Sequence, residues 1–170
     1  KVEMPARDAG KMLDAVQFLR DVEMGNPPKL GRRVAVYGGG NTAMDCLRVA
    51  RRLGVARVRC VYRRSEAEAP CRVEELRHAR EEGVEFFFLH GPVEILLNEA
   101  GDVRGLKVQK MRLGDPDERG RRKPEPLDEF VESLIEADPG RALAAVAASI
   151  HQGRDARALT ESLIVHLRDC

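Results

Sequence analysis

The sequence predicts an α/β fold: a parallel sheet wound with helices, then an antiparallel β-meander, then a C-terminal α-helical tail. Three observations predict it. An apolar run, VAVY at 34–37, ends in the turn Gly38-x-Gly40-x-x-Ala43 and passes straight into a helical pattern. A second β-branched run at 58–62 follows at the spacing of a βαβ unit of about 30 residues, the form of a Rossmann-like sheet. From Asp128 onward the apolar spacing becomes helical, unlike the strand alternation before it.

Residues 9–23 set Met12, Leu13, Val16, Phe18, Leu19 and Val22 at helical spacing, so an amphipathic helix is expected there. Gly25-Asn26-Pro27-Pro28 ends it, and Leu30-Gly31 leads into a strand at 33–37. The glycine turn then opens a helix over 41–53, closed by Gly54. Each turn residue has a mechanical reason: Gly38 permits the tight turn, Gly40 lets the backbone approach a pyrophosphate, and Ala43 keeps the helix close to the sheet. The helix aims its free N–H groups and the positive end of its dipole at the phosphates.

After the strand at 58–62, Pro70 stands where a helix can begin, and 73–82 continues with Leu76 and Ala79 inward until Gly83 stops it. The run VEFFFL at 84–89 reads as a third strand, its unbroken apolar character fitting burial on both faces of a parallel sheet. Past Gly91-Pro92, residues 93–97 and 103–111 alternate like antiparallel strands about a turn at 98–102, and 114–126 reads as a polar loop. In the tail, Asp138-Pro139 and Asp155 supply helix starts, with Leu143, Val146 and Ile150, then Leu159, Leu163 and Leu167, as apolar stripes. The chain thus divides into an N-terminal helix and lead-in (1–30), a Rossmann-like domain with a β-meander (31–127) and an α-helical tail (128–170).

At 170 residues, 43% of them hydrophobic, the chain can furnish a core. A formal net charge of +1 gives no global case for nucleic acid or an acidic membrane surface. Cys46, Cys60, Cys71 and Cys170 form no CxxC pair and have no His at metal-ligand spacing, as expected of reduced thiols in a cytoplasmic protein. No apolar run has the length of a membrane span, and no signal peptide is evident. The first residue is Lys1, as in a fragment, a processed chain or an excised domain.

An acidic residue about 20 positions past such glycines would hold the 2′-hydroxyl of NAD, whereas cations there suit the 2′-phosphate of NADP. Here the second strand ends Val61-Tyr62-Arg63-Arg64. Guanidinium groups match phosphate through paired charge-assisted donors, so Arg63 and Arg64 favour NADPH, and Arg72 is a candidate third contact. The alternative is a solvated strand end paired with Glu66 and Glu68. Asp45 reads as a residue that complements the helix dipole or packs rather than as a catalytic acid, Cys71 as an inert thiol, and the four histidines stand singly. The basic loop 119–123 reads as solvated.

The strings FLRDVEMGNPPKLGRRVAVYGGGNTAMDCLRVARRLG, VYRRSEAEAPCRVEEL, EEGVEFFFLHGPVEIL and MRLGDPDERGRRKPEP resemble the NADPH-binding domain of glutamate synthase small-subunit-like flavoproteins over about residues 9–126. The resemblance implies a pyrophosphate lined by Gly38, Gly39, Gly40, Asn41, Thr42 and Ala43, and a 2′-phosphate met by Arg63 and Arg64. It further implies hydride transfer from NADPH to FAD. No second glycine fingerprint for FAD and no iron–sulfur cysteine cluster occur, so the flavin is expected on another domain or an electron-acceptor subunit. Where the family returns through a last parallel strand, Glu136-Ala137-Asp138 is followed by Pro139-Gly140, a helix start. The tail, through DPGRALAAV, QGRDARAL and ESLIVHLRD, resembles the helical oligomerisation domain of the bacterial DNA polymerase III gamma/tau subunit. That resemblance implies self-association as an alternative function, or a chimera of the two.

Overall fold

The computed structural model describes residues 12–127. The start of the expected first helix lies outside the described residues. So does the tail from 128, with its helical stripes, its resemblance to the gamma/tau domain and its expected self-association. The chain divides into two units, Lys1–Pro126 and Leu127–Cys170, and the elements below belong to the first.

Helix α1 spans Ala15–Glu23 and begins later than its periodicity suggests. Asp14 is the reason: its carboxylate accepts from the N–H groups of Val16 (3.0 Å) and Gln17 (3.2 Å), capping the helix there and leaving Met12 and Leu13 outside it. Of the expected apolar stripe only Phe18 is buried, while Val16 stays exposed. The Cys46 thiol donates to Ala15 O (3.5 Å), tying α1 to the next helix.

Strands β1 (Arg33–Tyr37), β2 (Arg57–Tyr62) and β3 (Glu85–Phe88) form a parallel sheet in the order β1-β2-β3, with Tyr37 opposite Val61 and Val61 opposite Phe87. Two helices, α2 (Asn41–Arg52) and α3 (Val73–Glu81), make the crossovers. Ala43, Met44, Leu47 and Ala50 recur on one face of α2 and meet Val58, Cys60, Ala79 and Val84 in the core. Met44, Leu47, Val58 and Cys60 are sealed from solvent, and full burial of side chains such as Leu or Met contributes about 1.5–3 kcal/mol each. On the outer side, Arg48 joins the helices through Glu75 (2.6 Å) and Glu82 (2.9 Å).

Two sequence expectations are corrected here. Pro70 does not open α3; Arg72 is its N-cap, and a 3₁₀ turn at Glu66–Glu68 stands before it. Ser65 and Glu68 close that turn reciprocally as a capping box, a local structure that competes with starting the helix earlier. Strand β3 is not buried on both faces: Glu85 is exposed and Phe86, Phe87 and Phe88 are half-buried. Phe86 packs against the helical core, whereas Phe87, on the other face, is covered by the Arg59 guanidinium 5.2 Å from its ring centre.

Leu89 turns the chain with φ of 55°, and β4 (His90–Leu97), β5 (Val103–Pro116) and β6 (Arg122–Pro126) follow as an antiparallel meander. The expected turn at 98–102 forms, its Asn98 carboxamide accepting from Ala100 and Asp102. The stretch 114–126, expected as a polar loop, is instead the end of one hairpin. Asp117 accepts from the N–H groups of Arg121 (2.8 Å) and Arg119 (2.9 Å), confining the connection to 117–121. Arg112 and Glu125 face each other across the strands and pair at 3.0 Å, so polar residues here build a strand rather than interrupt one.

Candidate functional site

At the C-terminal ends of β1 and β2 the three glycines occupy different environments. Gly38 has φ of 151°, and a Cβ there would lie 3.3 Å from Ala43 Cβ, so the turn needs a glycine facing a small residue. Gly39 is buried, and a Cβ on it would meet the Tyr62 ring at 2.8 Å. Gly40 is the N-cap of α2 without a side-chain cap; a Cβ there would reach only Pro70, at 4.0 Å, so the space before it is open. Ala43 and Met44 donate to Gly40 O (3.0 and 3.1 Å), which leaves the first-turn N–H groups of Asn41 and Thr42 directed out of the helix end. Asn41 and Thr42 are exposed; Ala43 is buried and shapes the turn from within.

Around this opening stands the segment from Tyr62 to Arg72. The Tyr62 hydroxyl donates to Glu68 O (3.1 Å), the Cys71 N–H to Gly39 O (3.1 Å) and the Arg72 N–H to Asn41 Oδ1 (3.0 Å). Leu89 N–H donates to Arg64 O (2.9 Å), fixing the backbone of the arginine pair. Among the described residues neither Arg63 nor Arg64 has a carboxylate partner, although Arg48, Arg52, Arg57, Arg59 and Arg80 all do. The pairing with Glu66 and Glu68 does not form, because Glu66 is taken by Arg80 and Glu68 by Ser65. Arg72 is exposed, and its side chain is likewise unpaired among the described residues.

The arginine charges are felt at both tyrosines. Burial raises the phenols of Tyr37 and Tyr62; the Arg63 charge opposes this at Tyr37, and Arg64 and then Arg63 oppose it at Tyr62. The Cys71 thiol is raised chiefly by burial, so it is not an activated thiolate. Asp45 is exposed on α2, consistent with no role inside the turn. Sequence reasoning missed Tyr62 as the floor beneath Gly39 and Asn41 as a partner of Arg72. It also passed over the Ser65-x-x-Glu68 spacing, which is a capping-box signal. No group of His, Cys, Asp or Glu among the described residues is arranged to hold a metal ion, and no helix there is long and apolar enough to cross a membrane.

The parallel βαβαβ unit, the glycine turn and the appended meander define a Rossmann-like α/β domain. The family described as pyridine nucleotide-disulphide oxidoreductase matches residues 3–127, and the chain belongs to that family. The chain is 46% identical over 124 residues to the NADPH-Fe(3+) oxidoreductase subunit beta of Geobacter sulfurreducens, covering 72% of this chain and 18% of that protein. It is 46% identical over 119 residues to the NADP(+)-dependent formate dehydrogenase subunit beta of Moorella thermoacetica, covering 69% and 17%. With the glutamate synthase [NADPH] small chain of Halomonas elongata it shares 52% identity over 95 residues, covering 56% and 20%. The resemblance to glutamate synthase small subunits is thus borne out for the α/β part. The chain spans about a fifth of the length of each of these relatives.

Proposed function

We propose that residues 31–127 bind NADPH and present its nicotinamide to an FAD held by another domain or an electron-acceptor subunit, within a cytoplasmic oxidoreductase. The observation that carries this reading is the open α2 N-terminus beside two arginines without carboxylate partners. The N–H groups of Asn41 and Thr42 suit a pyrophosphate, and Gly40 leaves it room. Arg63 and Arg64, in the bend just past the end of β2, suit a 2′-phosphate. The residues present therefore fit the dinucleotide, whose chemistry when bound is the donation of a hydride. Support comes also from the three relatives, whose names carry NADPH or NADP(+) and describe subunits or a small chain.

Titration of the full chain with NADPH and NADH tests the reading. NADPH is expected to bind about 10- to 1000-fold more tightly, the range that a few kcal/mol of charge-assisted contact provides. Arg63→Ala and Arg64→Ala are expected to collapse that ratio while leaving NADH binding in place. Equal affinity for the two, or none for either, overturns the assignment.

A further inference from the structure

Asn41 is the first residue of α2, yet its side chain does not serve its own helix. Its carboxamide oxygen accepts the N–H of Arg72, 31 positions along the chain and the N-cap of α3. In a capping box the N3 glutamate satisfies the N–H of the N-cap residue. Here that service comes from another helix, and Arg72 has no side-chain cap of its own. The far end of the 65–72 segment is otherwise held to the turn by one bond, from Cys71 N–H to Gly39 O. Its near end is pinned independently, by Ser65 with Glu68, by Tyr62 on Glu68 O and by Arg80 on Glu66.

We propose that Asn41 is a positioning residue for nucleotide selectivity: by holding Arg72 N–H it fixes Arg72 beside the opening of α2 as a third cation for the 2′-phosphate. This rests on the NADPH reading of the site. The Asn41 side chain then acts through Arg72, while the backbone N–H of Asn41 stays free for the pyrophosphate. An exposed arginine on a loose segment loses more freedom on meeting a phosphate than one whose backbone is already set, so the bond contributes to affinity through preorganisation. The contribution belongs to the phosphate that distinguishes NADPH from NADH, not to the parts they share.

Two measurements on the full chain decide it. The first is amide hydrogen exchange without nucleotide: the Arg72 amide is expected to exchange about 2- to 12-fold faster in Asn41→Ala, the range for loss of one ordinary hydrogen bond. Asn41→Asp, which keeps an acceptor oxygen, is expected to retain the slow amide. Unchanged exchange in Asn41→Ala overturns the proposal. The second is titration of Asn41→Ala, Arg72→Ala and the double variant. NADPH affinity is expected to fall about 3- to 10-fold more than NADH affinity in each single variant, and no further in the double. Additive losses, or equal loss for NADPH and NADH, overturn it in favour of direct contact by Asn41. If the unaltered chain binds no NADPH, the function assigned to the site fails and this proposal with it, whereas binding by the unaltered chain with the wrong variant pattern defeats this proposal alone.

Discussion

Gly39 and Gly40 are chemically identical neighbours with opposite constraints. At Gly39 the obstacle is inside the protein, since any Cβ runs into a Tyr62 ring anchored through its hydroxyl to Glu68. Gly39→Ala is expected to lower stability by about 1–3 kcal/mol, as overpacking does, read by denaturant unfolding without nucleotide. At Gly40 the protein offers no obstacle, and under the proposed function only the ligand would: the backbone is extended, φ of −91° and ψ of 174°, and alanine adopts it readily. Gly40→Ala is expected to change stability by less than about 1 kcal/mol, the difference between glycine and alanine at an N-cap, while weakening NADPH binding at least about tenfold. A variant that unfolds instead, or binds normally, contradicts that division of roles. The glycines were legible in the sequence because a dinucleotide-binding turn sets them at a fixed spacing between a strand and a helix. The contacts of Tyr62 with Gly39 and of Asn41 with Arg72 were not, because they join residues distant in the chain and neither residue type announces such a partner.

At the scale of elements, α2 and α3 are locked by a charge cluster at their outer ends. Glu82 Oε1 accepts from both Arg48 and Arg52, and Glu82 Oε2 is buried without a partner among the described residues. Burial raises the Glu82 carboxyl, but the hydrogen bonds and charges of Arg48 and Arg52 outweigh it and hold the group below its usual range. A folded-state pKa below the unfolded one gives stability that is present above the ordinary glutamate value, about 4.3, and is lost as pH falls through the folded value. Thermal melts are therefore expected to be flat in this contribution near neutrality and to decline below about pH 4, less steeply in Glu82→Gln. An unchanged acid limb in Glu82→Gln refutes the assignment. The helices and parallel strands here were readable from periodicity and breakers. The hairpin at 114–126 was not: Arg112, Glu125, Pro124 and Pro126 make a polar, proline-bearing pair whose strand character comes from cross-strand register, which composition conceals. The apolar run of β3 misled in the opposite direction, because Arg59, a charged residue on a neighbouring strand, covers one of its faces.

Across the α/β unit as a whole, the thiols report on integrity. Burial, with lesser help from Asp45 and Asp14, pushes Cys46 up to about 11, and burial with Cys71 nearby pushes Cys60 up to about 12. Native-state labelling at mildly alkaline pH is expected to leave both unmodified on the timescale in which an exposed thiol reacts, with modification following the opening of the unit. Rapid labelling of Cys60 without loss of structure contradicts this burial. Because the Cys60 thiol donates to Gly38 O (3.3 Å), the same measurement reports the integrity of the floor beneath the turn. The aromatic inventory has a practical consequence. The full sequence contains no tryptophan and two tyrosines, Tyr37 and Tyr62. One precedes the glycine turn and the other lies beneath it. Near-ultraviolet absorption and intrinsic emission of the unlabelled protein therefore originate almost wholly at this one corner, giving an observer a built-in optical probe of its surroundings.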